Sequence, residues 1–391
     1  MDLKDLKRDF RKRYGSGKSS KAYRAPGRVN LIGEHTDYNG GLVLPIAVNL
    51  STWALARKNS RDSIRLYSAN LDEAGEIELG GKIRKTEGWT DYVRGIISGL
   101  DEGDRELLSG LDLYLASEVP VGRGLSSSAA LELSVATALS EEFGLGLEGL
   151  ELIRLCQMAE NDFVGANTGI MDQYVSYYGK EETALLIDTS RPSHEYVNLD
   201  LSGYEILVLD TTVSHTHGGS EYNQRRAECE EALELLKEAD RYRDFESLSR
   251  LDPEDLGFVR SALPEKLANR VSHVVEENLR VKRAADYLAE GEIEKAGELF
   301  FQSHHSLKEQ YEVSCEELDF LVEFARREGV PGARMTGGGF GGASVQVVPE
   351  ESSEEYLRDS KKEYRKEFGI EPEGFFVFPS DGVKADIAGN G

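Results

Sequence analysis

Three observations predict a two-domain protein that mixes strands with helices. The chain has 391 residues, enough for two domains that each bury a core. Strand-like apolar runs fill much of the first half and return near the end. Between them, residues 220–328 carry charged, helix-periodic segments. With 39% hydrophobic and 30% charged residues, the composition suits a soluble globular chain. The domain boundary is expected at residues 190–205, giving 1–195 and 196–391.

The elements follow from local pattern. Residues 1–14 are charged throughout, with Leu3, Leu6 and Phe10 on one helical face and no signal-peptide apolar core. Gly15 to Ser20 (GSGKSS) looks like the end of a P-loop. That motif needs glycine at position 12, which is Lys12, so the segment reads as a linker. Residues 42–57 and 63–69 read as strands, 89–100 as a helix and 111–117 as a strand. Helices are expected at 127–143 and 150–164, and strands at 184–187 and 206–209. Then come helices at 220–239, 254–263, 267–288, 293–307 and 315–328. A glycine-interrupted strand is expected at 333–348, and a last strand at 374–379.

Composition excludes some functions. The net charge of −25 opposes nonspecific nucleic-acid binding, which needs a basic surface. No apolar run reaches about 18 residues, so no membrane span is expected. Two origins of the acidity stay open: a salt-rich cytoplasm, or an ordinary acidic enzyme. Cys156, Cys229 and Cys315 are widely spaced and odd in number, as suits buried thiols in a reducing cytoplasm.

The most informative segment runs from Arg24 to Gly41 (RAPGRVNLIGEHTDYNGG). It packs Arg28, Glu34, His35 and Asp37 beside the core-type residues Val29, Leu31 and Ile32. Buried charges of this density need partners. Two carboxylates and an imidazole at the end of a strand suit several hydroxyls at once. A salt-bridged turn is the competing reading.

Pro120 to Ala130 (PVGRGLSSSAA) follows a strand and opens a helix. Gly122 and Gly124 allow close backbone approach to an anion. Ser126, Ser127 and Ser128 stand at the helix start, where free N–H groups favour phosphate. Ser126 or Ser127 also reads as a simple N-cap. Further on, Glu160 lies near an apolar helix face, and Asp172 follows Gly169 in a segment that also reads as a helix cap. His215 and His217 are two ligands without a third, so a metal there is disfavoured. His304 and His305 read as ordinary helix residues. Met335 to Ser344 (MTGGGFGGAS) has five glycines in the six residues 337–342, which implies close approach by backbone or ligand.

Gly27 to Gly41 resembles the galactokinase signature almost letter for letter. Galactokinases belong to a superfamily with homoserine, mevalonate and phosphomevalonate kinases. The GLSSSA stretch is similar to that superfamily's phosphate-binding motif, and the glycine cluster at 337–342 to its C-terminal motif. Ser220 to Arg226 (SEYNQRR) and Trp89 to Gly95 (WTDYVRG) also resemble galactokinase stretches.

The resemblance implies an α+β two-domain small-molecule kinase fold with its active site in the interdomain cleft. It implies transfer of the γ-phosphate of ATP to the anomeric hydroxyl of galactose. Asp172 and Arg28 would be catalytic, with Asp172 accepting the hydroxyl proton. Glu34, His35, Asp37, Gly169 and Tyr222 would hold the sugar. Gly122, Arg123, Gly124, Leu125, Ser126, Ser127, Ser128 and Ala129 would hold the phosphates, with Trp89 near the adenine. Ser128 and Glu160 would ligate Mg²⁺. Two alternatives are a kinase for N-acetylgalactosamine, galacturonic acid or arabinose, and a non-catalytic galactose sensor. Known sensors lack the Ser-Ala step, which Ser128 and Ala129 keep here. The partners implied are galactose and ATP, without nucleic acid or membrane; monomer and homodimer both stay open.

Overall fold

The structure is a computed structural model, which describes residues 1–17, 19–166, 168–214 and 218–385. Packing divides the chain into two compact units. Unit 1 takes Met1–Arg28, Ala47–Lys180 and the residues from Ser380 onward. Unit 2 takes Val29–Ile46 and Glu181–Pro379. This differs from the single boundary expected near residue 195. The chain leaves the first unit right after Arg28, and the segment carrying Glu34, His35 and Asp37 packs into the core of the second.

Unit 1 is built on a five-stranded sheet of order β1-β3-β6-β4-β5. Its strands are β1 Lys21–Asn30, β3 Pro45–Lys58, β4 Ser63–Ser68, β5 Glu73–Glu78 and β6 Leu111–Ser117. β4 and β6 are parallel, whereas β3 pairs with β6 and β5 with β4 antiparallel. Leu111, Leu113 and Leu115 of β6 pack with Ile96, Ile97, Leu133 and Leu139 of helices Thr90–Gly99 and Ser127–Phe143 in one core. The N-terminal helix Leu3–Tyr14 buries Leu6 and Phe10, as its periodicity predicts, against Leu55 and Tyr114. The end of the chain ties back through a two-bond bridge between Arg24 and Lys384.

Unit 2 holds two antiparallel sheets. One has the order β10-β11-β9-β12, with β9 Tyr204–Ser214, β10 Gly332–Thr336, β11 Gly341–Pro349 and β12 Glu373–Val377. The other is β2-β7-β8, with β2 Leu42–Val43, β7 Thr183–Asp188 and β8 Ser193–Asn198. The expected strand at 333–348 is therefore a hairpin, β10 and β11, folded at the glycine cluster. Helices Glu265–Ala289 and Ile293–Glu309 bury Val271, Val274, Val275 and Leu307 in the unit's main apolar cluster.

Several elements were not expected from pattern. β5 and β8 are mostly exposed and polar, and helix Ser353–Phe368 is dominated by charge. The expected helix at 150–164 is α-helical only over Gly149–Met158, and Ala159–Val164 opens into a π-turn.

Gly27 carries the turn-off to the site. A Cβ there would stand 2.6 Å from the Leu125 carbonyl oxygen. That oxygen accepts the Arg28 N–H at 3.1 Å. Gly27→Ala must push the two strands of chain apart, at about 1–3 kcal/mol. A urea unfolding midpoint equal to wild type would show that the contact is soft.

Candidate functional site

Each unit contributes one polar centre. In unit 1, β1 delivers Arg28 to Asp172. Arg28 Nε donates to Asp172 Oδ1 at 2.7 Å and Nη2 donates to Oδ2 at 2.8 Å. This bidentate fork is the strongest form of such a pair. Arg28 Nη1 also donates to the Gly124 carbonyl at 2.5 Å. Asp172 lies in the first turn of helix Met171–Tyr178, whose N-cap position is Ile170, so it is not the cap residue. The Ser126 hydroxyl donates to Asp172 Oδ2 as well.

The glycine–serine loop has the shape the sequence suggests. Gly122 and Gly124 have φ of 73° and 72°, the left-handed region that glycine enters freely. Ser126 stands at the N-cap of helix Ser127–Phe143, but in a left-handed conformation (φ 54°) and without a side-chain capping bond. Its hydroxyl goes to Asp172, so the simple-cap reading does not hold for it. The first-turn amides of a long helix are left uncapped by Ser126, and such a terminus favours an anion. Beside it an apolar cleft is lined by Leu71, Trp89, Tyr92, Leu115, Val121 and Leu131, and reaches Ser127 and Ser128. Trp89 thus lines a cleft beside the loop. Arg123 and Leu125 belong to the loop, Leu125 buried and Arg123 half-buried.

Behind the loop three carboxylates gather. Glu160, in the π-turn, is 5% exposed and accepts from Gln173 Nε2 at 2.7 Å and Thr168 Oγ1 at 3.2 Å. The Ser128 hydroxyl bonds to it too. Burial raises the Glu160 pKa, Asp172 nearby raises it further, and the three hydrogen bonds only partly offset this. Glu132, fully buried, accepts the other Gln173 amide hydrogen at 3.0 Å and is pushed up more strongly, by burial and then by Glu160. Among the described residues no basic side chain pairs with Glu160. A hydroxyl and a carboxylate, both hard oxygen donors short of positive charge, fit Mg²⁺, which needs few protein ligands when a nucleotide supplies phosphates. No group of three or more His, Cys, Asp or Glu that could hold a metal occurs among the described residues.

In unit 2, Glu34 is 3% exposed and fully partnered. Oε2 takes the Asn30 amide at 2.7 Å and the guanidinium of Arg334. Oε1 takes the Thr336 hydroxyl at 3.1 Å and the Gly337 N–H at 2.9 Å. The glycine cluster therefore closes on the signature segment through Glu34. Arg334 and Thr336 carry no signal in the sequence beyond standing next to those glycines.

His35 is strained (φ 63°) and 4% exposed. Its Nδ1 lies 2.8 Å from the Tyr38 hydroxyl, and its ring packs 5.4 Å from Tyr222 and 4.8 Å from Tyr311. Gly338 lets Tyr222 approach: a Cβ there would meet its ring at 3.2 Å. Asp37 opens a short 3-10 turn, Asp37–Asn39. Gly169 stands half-buried in unit 1, in the loop before Asp172. His304, on helix Ile293–Glu309, pairs with Asp319 of helix Glu316–Arg327 at 3.2 Å. His215 and His217 lie outside the described residues.

Comparison with known proteins finds relatives along most of the chain. Residues 8–58 match the galactokinase galactose-binding signature, 91–180 the N-terminal domain of GHMP kinases, and 284–365 their C-terminal domain. The chain is 44% identical over 362 residues to a galactokinase of Thermotoga neapolitana, covering 92% of this chain and 99% of that protein. It is 38% identical over 388 residues to a galactokinase of Exiguobacterium sibiricum, covering 98% of each. The crystal structure of Lactococcus lactis galactokinase complexed with galactose superposes with TM-score 0.92 at 36% identity, over 98% of this chain and 100% of that one. Methanococcus jannaschii mevalonate kinase, at 20% identity and TM-score 0.65, over 94% of this chain and 100% of that one, shares the fold.

Burial, with further help from His273 and the cations Arg225 and Arg334, lowers the His35 pKa from 6.5 to about 3. The unfolded chain takes up that proton near 6.5, the folded one only near 3. On this account stability falls as pH drops through that window. By pH 5 the loss is about 2 kcal/mol. His35→Gln should lose less stability between pH 7 and pH 5 than wild type in urea unfolding. Equal losses would mean that His35 titrates normally.

Proposed function

The chain belongs to the galactokinase family, and from that membership we propose how its residues transfer the γ-phosphate of ATP to the anomeric hydroxyl of galactose. The products are galactose 1-phosphate and ADP. The observation that carries the reading is the Arg28 fork on Asp172, set against the uncapped start of helix Ser127–Phe143.

Adenine enters the cleft of Trp89 and Tyr92, and the phosphates reach the amides of the Gly122–Ala129 loop. Ser128 and Glu160 would hold Mg²⁺, which when bound neutralises charge on the phosphates. Glu34, His35, Asp37, Gly169 and Tyr222 serve the sugar. Arg28 occupies one lone pair on each Asp172 oxygen, and Ser126 a further one on Oδ2. Oδ1 keeps an acceptor position, which takes the anomeric O–H. As the sugar oxygen attacks phosphorus, its proton passes to Oδ1, and Arg28 stabilises the charge that develops. Protein groups here align and stabilise rather than form a covalent intermediate.

Three free cysteines support a reducing, cytoplasmic setting. None of the described helices is long and apolar enough to cross a membrane.

The test is ADP release with Mg-ATP and a panel of galactose, glucose, N-acetylgalactosamine, galacturonic acid and arabinose. Galactose-dependent release is expected. Asp172→Ala should cut turnover by about 10²-fold to 10⁴-fold while ATP still binds. Near-normal turnover in that variant would remove Asp172 from the mechanism. Galactose binding without any ADP release would make the chain a sensor.

A further inference from the structure

Gln173 is fully buried next to Asp172, and no step above uses it. Adjacent residues on a helix point about 100° apart. Helix Met171–Tyr178 therefore sends Asp172 to Arg28 and Gln173 to the carboxylates behind the loop. Gln173 Nε2 carries two hydrogens and meets two acids, Glu160 Oε2 at 2.7 Å and Glu132 Oε2 at 3.0 Å. The amide orientation follows from these partners, since the opposite one would set a carbonyl oxygen against two carboxylates. Gln173 Oε1 is left buried with no hydrogen-bond partner among the described residues. Such orphans are rare in a stable interior. The fold gives up that acceptor and keeps both donors on the acids.

A second donor meets the same oxygen of Glu160. The Thr168 hydroxyl has one hydrogen and two acceptors at 3.2 Å, Glu160 Oε2 and Asn161 Oδ1. A carboxylate is the stronger acceptor. Asn161 Oδ1 already accepts the Thr168 N–H at 2.7 Å, and Asn161 Nδ2 donates to the Thr168 carbonyl at 2.9 Å. Asn161 follows Glu160 in the π-turn, so the acid and the residue that pins Thr168 share one short piece of backbone.

The Gln173 amide also fixes Glu160 relative to the phosphate-loop helix. Glu132 stands four residues after Ser128 on helix Ser127–Phe143, one turn along the same face. Glu160 is thereby referenced to the helix that carries Ser128.

We propose that Gln173 and Thr168 are positioning residues that clamp Glu160 Oε2 and aim the carboxylate at the divalent ion that accompanies the nucleotide. This rests on the reading above of Ser128 and Glu160 as the metal ligands. Two donors on one oxygen set the ligand's orientation before the ion arrives, so less order has to be created on binding.

The test reads nucleotide binding without turnover. Calorimetric titration of ADP, with and without Mg²⁺, gives the factor by which the metal tightens ADP. Gln173→Met keeps the volume and removes both donors; it should reduce that factor about tenfold, with metal-free ADP affinity and KM for galactose changed by no more than about twofold. Thr168→Val loses one hydrogen bond and should reduce the factor about threefold. Thr168→Ser should restore it. Equal weakening of ADP with and without metal would mean packing damage and overturn the proposal. Should Gln173→Met not fold, the Thr168 pair decides, and a wild-type factor in Thr168→Val overturns the clamp. Glu160→Gln separates the clamp from the reading beneath it. If that variant loses the metal's effect while Gln173→Met and Thr168→Val keep it, the clamp alone fails. If Glu160→Gln keeps the effect, the metal reading fails and the clamp with it.

Discussion

A single buried carboxylate sets the terms on which the second unit is built. Glu34 lies in the interior, where an unpaired charge would cost several kcal/mol. Four donors answer it, and they come from two places: Asn30 at the end of β1, and Arg334, Thr336 and Gly337 at the end of β10. Arg334 in turn gives Nη1 to the carbonyls of Asn30 and Leu31 at 3.3 and 3.2 Å. The signature segment is thus held at its start by the same hydrogen bonds that satisfy its charge. A second buried acid repeats the device. Glu277 accepts the Gly33 N–H at 3.1 Å; burial pushes its pKa up, but Arg280, His273 and Arg334 outweigh that and hold it at about 2. Gly33 itself has φ 106°, and a Cβ there would meet the Leu42 carbonyl at 2.7 Å. Charge and backbone shape in this turn are therefore one constraint.

Irregular backbone occurs at both polar centres. Ser126 and His35 are left-handed without being glycine, and Glu160 sits in a π-turn. Non-glycine residues in that region cost about 1–3 kcal/mol each and persist where surroundings over-determine them. The surroundings are identifiable. Asp172 holds the Ser126 hydroxyl, and Tyr38 and Asn39 hold the His35 side chain and carbonyl. In the π-turn the Glu160 carbonyl accepts the Gly165 N–H at 2.8 Å and the Ala166 N–H at 3.1 Å. The wider turn changes the phase of the helix just where a carboxylate must face Gln173 and Ser128.

The sequence made the polar groups legible, but not what holds them. Arg28, Glu34, His35, Asp172 and Glu160 stand out because charge beside apolar or glycine residues is rare and local. Regular apolar spacing likewise located strand Leu111–Ser117 and helix Ser127–Phe143 at the bounds the structure shows. Arg334, Glu277 and Tyr311 could not be found that way. Each meets the signature segment across a long sequence separation, and little in its own neighbourhood distinguishes it from an ordinary buried residue. The missed strands β5 and β8 show the same limit from another side. Their exposed, polar faces carry little apolar alternation, and only pairing with β4 and β7 makes them strands. The division into units was hidden too, because the peptide after Arg28 carries no composition change.

The charge of the whole chain bears on how so acidic a protein takes an anionic nucleotide. At −25 the long-range field repels phosphate, so attraction must be local. Helix amides and the Arg28 guanidinium supply part of it. Yet Arg28 is already committed to Asp172 and the Gly124 carbonyl, and among the described residues no basic side chain pairs with Glu132 or Glu160 close behind the loop. On the proposed reading, those two carboxylates make the loop a poor receptor for bare phosphate and a good one for phosphate that brings a divalent ion. Burial first, and then the neighbouring carboxylates, raise both pKa values. On the same reading, the repulsion between these carboxylates and a bare phosphate becomes a preference for the metal-charged nucleotide over the free one.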